Sequence, residues 1–164
     1  MIWPFTRRSD LPDAAPLYAA LVGLARDPRW YRAAGVPDTI DGRFAVLATM
    51  VALADLRLGA GGDAAQALSP RLTECFVADM DAQLQQAGLG DPTLGKEVRK
   101  LVAVLADKIA RLTNPDDRDA VRRAIYADGE PAAGDLDQAA AFVTDARRRL
   151  AATADDQLGQ GVIA

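Results

Sequence analysis

Residues 72–112 read LTECFVADMDAQLQQAGLGDPTLGKEVRKLVAVLADKIARL, and this stretch decides the fold. Its apolar residues recur every three or four positions in two runs, a spacing that places them on one face of an α-helix. Between the runs lies Gly88-Leu89-Gly90-Asp91, followed by a proline. The glycines suit the end of one helix and Asp91 can cap the next. So short a connection predicts an antiparallel helical hairpin with facing apolar stripes.

The first helix of this hairpin is predicted to begin near Pro70. Ser69 carries a side-chain oxygen of the kind that caps helix N-termini. Pro70 suits the first helical position, where its missing N–H costs nothing. From there the apolar face continues without interruption to the glycine turn, so the sequence places the whole first arm between residues 70 and 88.

Opposite charges flank the predicted turn. Asp79 and Asp81 precede it at about the height at which Lys96 and Lys100 follow it, because each helical residue rises about 1.5 Å. Two interpretations stay open. The charges form ion pairs across the hairpin, worth about 0 to 1 kcal/mol each, or they form a polar recognition patch beside an apolar groove.

Further helices are predicted on both sides of the hairpin. The loop Gly35-Val36-Pro37-Asp38-Thr39 is stiffened by proline, and Thr39 can cap a helix over about 40–58. That helix is apolar on most sides, which predicts a central, buried position. Shorter helices are expected over 16–25 and near 29–32, with two more at about 114–128 and 136–150. No strand pattern occurs.

The pattern as a whole predicts an all-α fold, a single-domain bundle of about six helices with a central antiparallel helical hairpin. We expect a flexible N-terminal segment over 1–15, the helical domain over 16–155 and a loose C-terminal tail over 156–164. A chain of 164 residues can bury roughly two-thirds of its surface without disulfides or metal. Trp3, Phe5 and the arginines after them also suit a membrane headgroup region, so peripheral membrane contact stays open.

The composition argues against several functional classes of protein. A formal net charge of −4 disfavours nucleic-acid binding, which gains its affinity from a basic surface. The single cysteine, Cys75, lies on an apolar stripe and is interpreted as a core residue. No apolar run reaches the length of a membrane span, and no export signal is recognisable. A cytoplasmic location is therefore expected, either free or peripheral at the cytoplasmic face of the inner membrane.

The sequence contains no histidine, which removes the Ser-His and Cys-His nucleophiles and almost every zinc site. Residues 90–96 match the glycine and lysine spacing of a phosphate-binding loop. However, Glu97 stands where a magnesium-binding Ser or Thr is required, and a helix rather than a strand precedes the loop. We therefore expect no cofactor, no metal and no enzymatic activity.

Five short motifs occur in a set order over residues 17–100, within a longer stretch of about residues 16–155 that also contains the weaker motif Arg122-Arg123-Ala124-Ile125-Tyr126. They are Leu17-Tyr18, Trp30-Tyr31, the Gly35–Thr39 loop ahead of Gly42-Arg43-Phe44, Phe76-Val77-Ala78-Asp79-Met80-Asp81, and Gly88-Leu89-Gly90-Asp91 followed by Lys96 and Lys100. In this order they resemble the ubiquinol-cytochrome c chaperone family, the bacterial relatives of the mitochondrial assembly factor for cytochrome b of the bc1 complex.

The resemblance implies an all-helical, non-catalytic chaperone that holds newly made cytochrome b, or another bc1 subunit, until the complex assembles. Taken alone, Tyr31, Phe44 and Phe76 are each better interpreted as core residues. The matched positions assigned to the partner surface are Trp30, Tyr31, Arg43, Phe44, Phe76, Asp79, Asp81, Lys96 and Lys100. The positions assigned to turns and caps are Gly35, Pro37, Thr39, Ser69, Gly88, Gly90 and Asp91.

The chain departs from the family pattern at three places. Thr49 stands where the family often has a histidine, Gln85 where it has an arginine, and Leu105-Ala106-Asp107-Lys108 where it has Phe-Tyr-Gly-Arg. A second interpretation stays open beside the chaperone: a generic helical adaptor or homodimerisation module. A surface without an apolar patch larger than a few hundred Å² would favour that adaptor.

Overall fold

The computed structural model describes residues 11–86, 88, 94–114 and 116–164. Within these ranges the chain forms eight helices and no strand, which confirms the all-α class. The helices are α1 (Ala15–Ala25), α2 (Arg29–Arg32), α3 (Ile40–Gly59), α4 (Asp63–Gln86), α5 (Leu94–Arg111), α6 (Arg118–Tyr126), α7 (Ala133–Ala152) and α8 (Asp155–Gly159).

Helix α3 lies at the centre of the bundle, as its apolar composition predicts. It contacts α1, α4, α5, α6 and α7. Every residue from Val46 to Ala54 is buried, so α3 is covered on all sides over more than two turns. Burying a leucine or valine side chain contributes roughly 1.5 to 3 kcal/mol, so this helix supplies a large, continuous part of the core.

The hairpin helices α4 and α5 contact each other, and both also pack on α3. The rings of Phe44 on α3 and Phe76 on α4 lie 5.9 Å apart between centroids. Because only residues 60–62 join these two helices, that contact makes α3 and α4 antiparallel. The hairpin is therefore a layer on α3, and α3 rather than the hairpin holds the other helices together. Gly90 and Asp91, assigned to its turn, lie outside the described residues.

The predicted start of the first arm at Pro70 is wrong. Helix α4 begins at Asp63, and Pro70 lies inside it. Ser69 is not an N-cap, since its hydroxyl donates to the carboxylate of Asp55 on α3. Ala65 and Leu68 are buried and extend the apolar stripe backwards from the predicted start. Their packing outweighs the cost of an interior proline, which faces solvent here.

Two other helix starts differ from the predictions by about one turn. Helix α6 begins after Asp117, whose carboxylate accepts a hydrogen bond from the Ala120 N–H at 2.9 Å, and not near Asn114. Helix α7 begins at Ala133 rather than at Leu136. Both differences are local, because the two helices lie where the sequence predicts them and only their first turns are displaced.

The C-terminal residues pack against the bundle and are not loose. Leu158 of α8 is buried, and α8 contacts α4 and α1. The Ala164 N–H donates to the Thr153 hydroxyl at 2.9 Å, and Arg149 donates to the Ala164 carbonyl. The expectation of a loose tail was wrong because its position at the chain end does not reveal that Leu158 finds apolar surface to cover.

A hydrogen-bond network around Arg57 joins the C-terminal end of α3 to α7 and α8. The Arg57 guanidinium donates to the carbonyl oxygens of Leu150 at 3.2 Å and Thr153 at 2.8 Å, and it pairs with Asp155 at 2.7 Å. The Gly62 N–H donates to the second carboxylate oxygen of Asp155 at 2.9 Å. The Gly62 N–H and then Arg57 hold the pKa of Asp155 below its ordinary value. The ends of α3, α7 and α8 are thereby joined.

At the N-terminus, residues 1–10 of the segment predicted to be flexible lie outside the described residues. Ala14 is already buried, and Asp13 accepts a hydrogen bond from the Ala15 N–H at 2.9 Å. The packed domain therefore begins before residue 16.

Candidate partner-binding surface

The loop before α3 forms a compact helix cap. The Thr39 hydroxyl accepts a hydrogen bond from the Gly42 N–H at 3.1 Å, which satisfies a free donor of the first turn. Asp38 and Arg43 pair across the same turn at 2.6 Å. A Cβ on Gly42 would lie 1.9 Å from the Pro37 carbonyl oxygen, so only glycine permits this approach. Most residues of the motif thus shape the entry into α3.

The same loop packs against the end of α6 and the first turn of α7. Gly35 has φ +59°, and a Cβ there would lie 2.3 Å from a carboxylate oxygen of Asp135. The Tyr126 hydroxyl lies within hydrogen-bond distance of the carbonyl oxygens of Ala34 and Asp135. Burial and then the charge of Asp135 raise the pKa of Tyr126 to about 12. Gly35 therefore has a structural role.

Trp30 belongs to the core and not to an accessible surface, contrary to its assignment from the sequence. It is buried, and its indole N–H donates to the Leu24 carbonyl at 3.1 Å. Its ring meets Phe142 edge to face at 5.3 Å between centroids. Tyr31 is half-buried, with its hydroxyl donating to the Ala25 carbonyl at 3.1 Å. Both side chains therefore link α2 to the C-terminal end of α1.

Phe76 is also a core residue, fully buried under α3. Phe44 packs against it and keeps one edge exposed. One turn before Phe44, Ile40 exposes 72% of its surface, more than any other large hydrophobic residue described. The GRF motif therefore brings together a buried aromatic contact and an exposed aliphatic side chain, and Arg43 beside them is exposed and ion-paired.

The two aspartates of the F-x-x-D-M-D motif point in different directions. Asp79 accepts a hydrogen bond from the Tyr18 hydroxyl at 2.6 Å, which links α4 to α1. Burial, and then this hydrogen bond, raise the pKa of Tyr18. Asp81 accepts from Gln85 on its own helix at 2.7 Å. Positions two apart on a helix face in nearly opposite directions, so the two carboxylates do not form one site.

Lys96 and Lys100 are exposed on α5. Within the described ranges, no ion pair joins either lysine to Asp79 or Asp81, so the first of the two interpretations left open by the sequence, ion pairs across the hairpin, does not hold. The reason is helical geometry: Asp79 faces α1, while the lysines lie away from the buried face of α5. The structure therefore brings α4 and α5 together but keeps the aspartates of α4 apart from the lysines of α5.

Lys108 is a residue that the sequence analysis missed. It is only 7% exposed, and its ammonium group donates to the Ala124 carbonyl near the end of α6. Burial lowers the pKa of Lys108 to about 8, against the opposing effect of Asp107. The sequence does indicate this burial. Lys108 lies seven residues after Leu101 and four before Leu112, so it shares their buried face of α5.

A row of half-buried aliphatic side chains runs along the junction of α4 and α5. Asp79 marks the flank of α4 that faces α1, so the opposite flank faces α5. Lys108 likewise marks the flank of α5 that faces α6, so its other flank faces α4. On these two facing flanks the side chains are aliphatic, and Val102 exposes 41%. This row, the α4–α5 seam, consists of Val77, Leu84, Val98, Val102 and Ile109.

The described residues offer neither a metal site nor a membrane-spanning helix. Among residues 11–86, 88, 94–114 and 116–164, no cluster of three or more Cys, Asp or Glu residues is arranged to hold a metal ion. No helix of the described chain has the length and apolar character needed to cross a membrane. The single thiol, Cys75, is half-buried, and burial raises its pKa, which favours the unreactive protonated form.

Comparison with known proteins agrees with this architecture. The chain is similar to a solved structure, the crystal structure of the Cbp3 homolog from Brucella abortus, with a TM-score of 0.77 and 27% sequence identity. The similarity covers 92% of this chain and 87% of that chain. No curated protein sequence matches the chain. The family model described as ubiquinol-cytochrome C chaperone matches residues 32–164, most of the chain. The chain therefore belongs to the ubiquinol-cytochrome C chaperone family.

Proposed function

We propose that this protein is a non-catalytic assembly chaperone that binds newly made cytochrome b and promotes biogenesis of the respiratory bc1 complex, the ubiquinol-cytochrome c reductase. The observation that carries the proposal is the family match over residues 32–164. The similarity to a Cbp3 homolog over nearly the whole chain supports it. A chaperone for a membrane subunit needs apolar surface that a client can cover, and the α4–α5 seam and Ile40 provide such surface.

The non-catalytic part of the proposal is supported by the side chains available. The sequence lacks histidine, the commonest general acid and base near neutral pH. Asp79 and Asp81 are engaged in separate hydrogen bonds, and the raised pKa of Cys75 disfavours a thiolate. Binding rather than turnover is therefore the activity that these residues favour.

The proposed place of action is the cytoplasmic side of the inner membrane, where a bacterial membrane subunit emerges. Peripheral contact with that membrane is part of the proposal, and the exposed lysines of α5 suit anionic headgroups. A homodimer is the other arrangement that an exposed apolar row permits, and size-exclusion chromatography with light scattering on the full chain distinguishes monomer from dimer.

The test is deletion of the gene in its host. Membranes of the deletion strain are expected to lose b-type haem absorbance in a reduced-minus-oxidised spectrum, together with ubiquinol-cytochrome c reductase activity, and the wild-type gene is expected to restore both. Unchanged bc1 content in the deletion strain would overturn the cytochrome b role and favour an adaptor with another partner, to be identified by affinity capture.

A further inference from the structure

We propose that the turn between α6 and α7 is a strained latch on the loop that precedes α3. Tyr126, the last residue of α6, holds this loop, and the next residue, Ala127, has a backbone conformation that alanine rarely adopts. The strain lowers the free energy needed to open the latch, and opening frees the loop and Ile40 to move. This inference goes beyond the proposed function, because it concerns a motion of the chain itself.

The strain lies at Ala127, in a position that favours glycine. Its φ of 52° and ψ of −115° match the first central position of a type II′ turn, where glycine is the usual residue. The turn is closed by the Gly129 N–H, which donates to the Tyr126 carbonyl at 2.8 Å. Among the described residues, every other positive φ belongs to a glycine. Such a conformation persists only where the surrounding structure fixes it.

The elements on both sides of Ala127 are fixed by contacts of their own. On the α6 side, the buried ammonium group of Lys108 donates to the Ala124 carbonyl in the last turn of the helix. On the α7 side, Asp135 lies against Gly35, where a Cβ would come within 2.3 Å of its carboxylate. The turn has to join these two fixed ends, so the strain at Ala127 persists.

The Tyr126 hydroxyl couples this turn to the loop. It lies within hydrogen-bond distance of the Ala34 carbonyl, directly before the loop, and 3.1 Å from the Asp135 carbonyl in the first turn of α7. The loop leads to Thr39, which caps α3, and to Ile40, which exposes 72% of its surface. A movement of the turn displaces Tyr126, so we expect the turn and the loop to open together.

Amide hydrogen exchange measured by NMR on the full chain tests the latch at two reporter amides. The Gly129 N–H reports the turn, and the Val36 N–H, which donates to the Trp30 carbonyl at 3.1 Å, reports the loop. Ala127→Gly relieves the strain and is expected to slow exchange about tenfold at both amides. The matched control, Ala132→Gly, lies in the same connection at φ −59° and is expected to change both rates by about twofold or less.

A second variant, Tyr126→Phe, tests the coupling between turn and loop. Loss of the hydroxyl is expected to speed exchange at Val36 about fivefold, because the loop loses a hydrogen bond to α6. Tyr18→Phe is the control, since it removes a hydroxyl that is bonded to Asp79 on α4, and it should leave Val36 unaltered. Circular dichroism of each variant establishes that the fold is kept.

The two parts of the proposal fail in different ways. Unaltered or faster exchange at Gly129 in Ala127→Gly would overturn the strain. Slower exchange at Gly129 without slower exchange at Val36 would overturn the latch, and this outcome is decisive even if Tyr126→Phe does not fold. Neither result depends on bc1 content in the deletion strain, which tests the proposed function separately.

Discussion

The two halves of α4 are covered in different ways. The N-terminal half, which includes Ala65 and Leu68, packs against α8, and the Arg57 network beside it joins α3, α7 and α8. The C-terminal half has a buried face against α3, but its flank toward α5 ends in the half-exposed seam. One half packs on a further helix that polar bonds hold in place, and the other leaves aliphatic side chains partly exposed.

The difference between the two halves distinguishes residues that stabilise the fold from residues that are available to a partner. A client site must present apolar area without making the fold depend on its being covered. Here the deep side chains beneath the seam, such as Phe76, are buried independently of any partner. We therefore expect substitutions under the seam and in the Arg57 network to lower stability, and substitutions in the seam itself to lower it less.

The largest effect is expected beneath the seam. Phe76→Ala removes a fully buried aromatic side chain that contacts Phe44, and should lower the free energy of unfolding by about 3 to 5 kcal/mol. Urea denaturation followed by circular dichroism measures it. The neighbouring seam variant Val77→Ala is the control and should cost about 1 kcal/mol or less. Equal losses for the two variants would contradict the distinction between seam and core.

The next largest effect is expected in the closed half. Arg57→Met removes bonds to the carbonyls of Leu150 and Thr153 and leaves Asp155 without its cation, at a cost of about 2 to 3 kcal/mol. Amide hydrogen exchange should show the loss as faster exchange over residues 155–164. Unaltered exchange in that segment would show that the Arg57 network does not hold it.

A pH profile tests the buried amine between α5 and α6. The pKa of Lys108 is lowered from 10.5 to about 8, so between these values the unfolded chain binds more protons than the folded one. Stability should therefore rise with pH, by roughly 2 kcal/mol between pH 8 and 9.5. Urea denaturation at several pH values is expected to show this rise in the wild type and in Lys100→Met, an exposed lysine on the same helix. A rise that persists in Lys108→Met would assign it to another group.

The smallest effect is expected at the exposed entry of α3. Arg43→Met breaks the ion pair with Asp38, which solvent screens on both sides, and should change stability by about 0 to 1 kcal/mol. Raising the salt concentration should reduce even that difference. Thermal melting at low and high ionic strength measures this difference. A loss of stability comparable to that of Arg57→Met would show that the Asp38–Arg43 pair stabilises the fold more than an exposed ion pair should.

Much of this architecture is readable in the sequence. The largely apolar composition of residues 40–58 predicts that α3 is central, because a helix that is apolar on most sides needs cover on most sides. The period of three to four residues places the buried faces of α4 and α5, and Thr39 marks the start of α3. The order of the motifs predicts the family. These features depend on residues close together in the chain, which fix local backbone preference and the face that a helix buries.

Tertiary structure decided the rest. Ser69 and Pro70 carry a helix-start signal, yet packing of Ala65 and Leu68 against distant helices extends α4 through them. The sequence assigned Trp30 to the partner surface, and its burial against Phe142 in the folded chain shows that it belongs to the core. Lys108 is buried because a carbonyl of α6 lies within its reach. Burial and hydrogen-bond partners depend on residues far apart in the chain, and local propensity carries no information about those contacts.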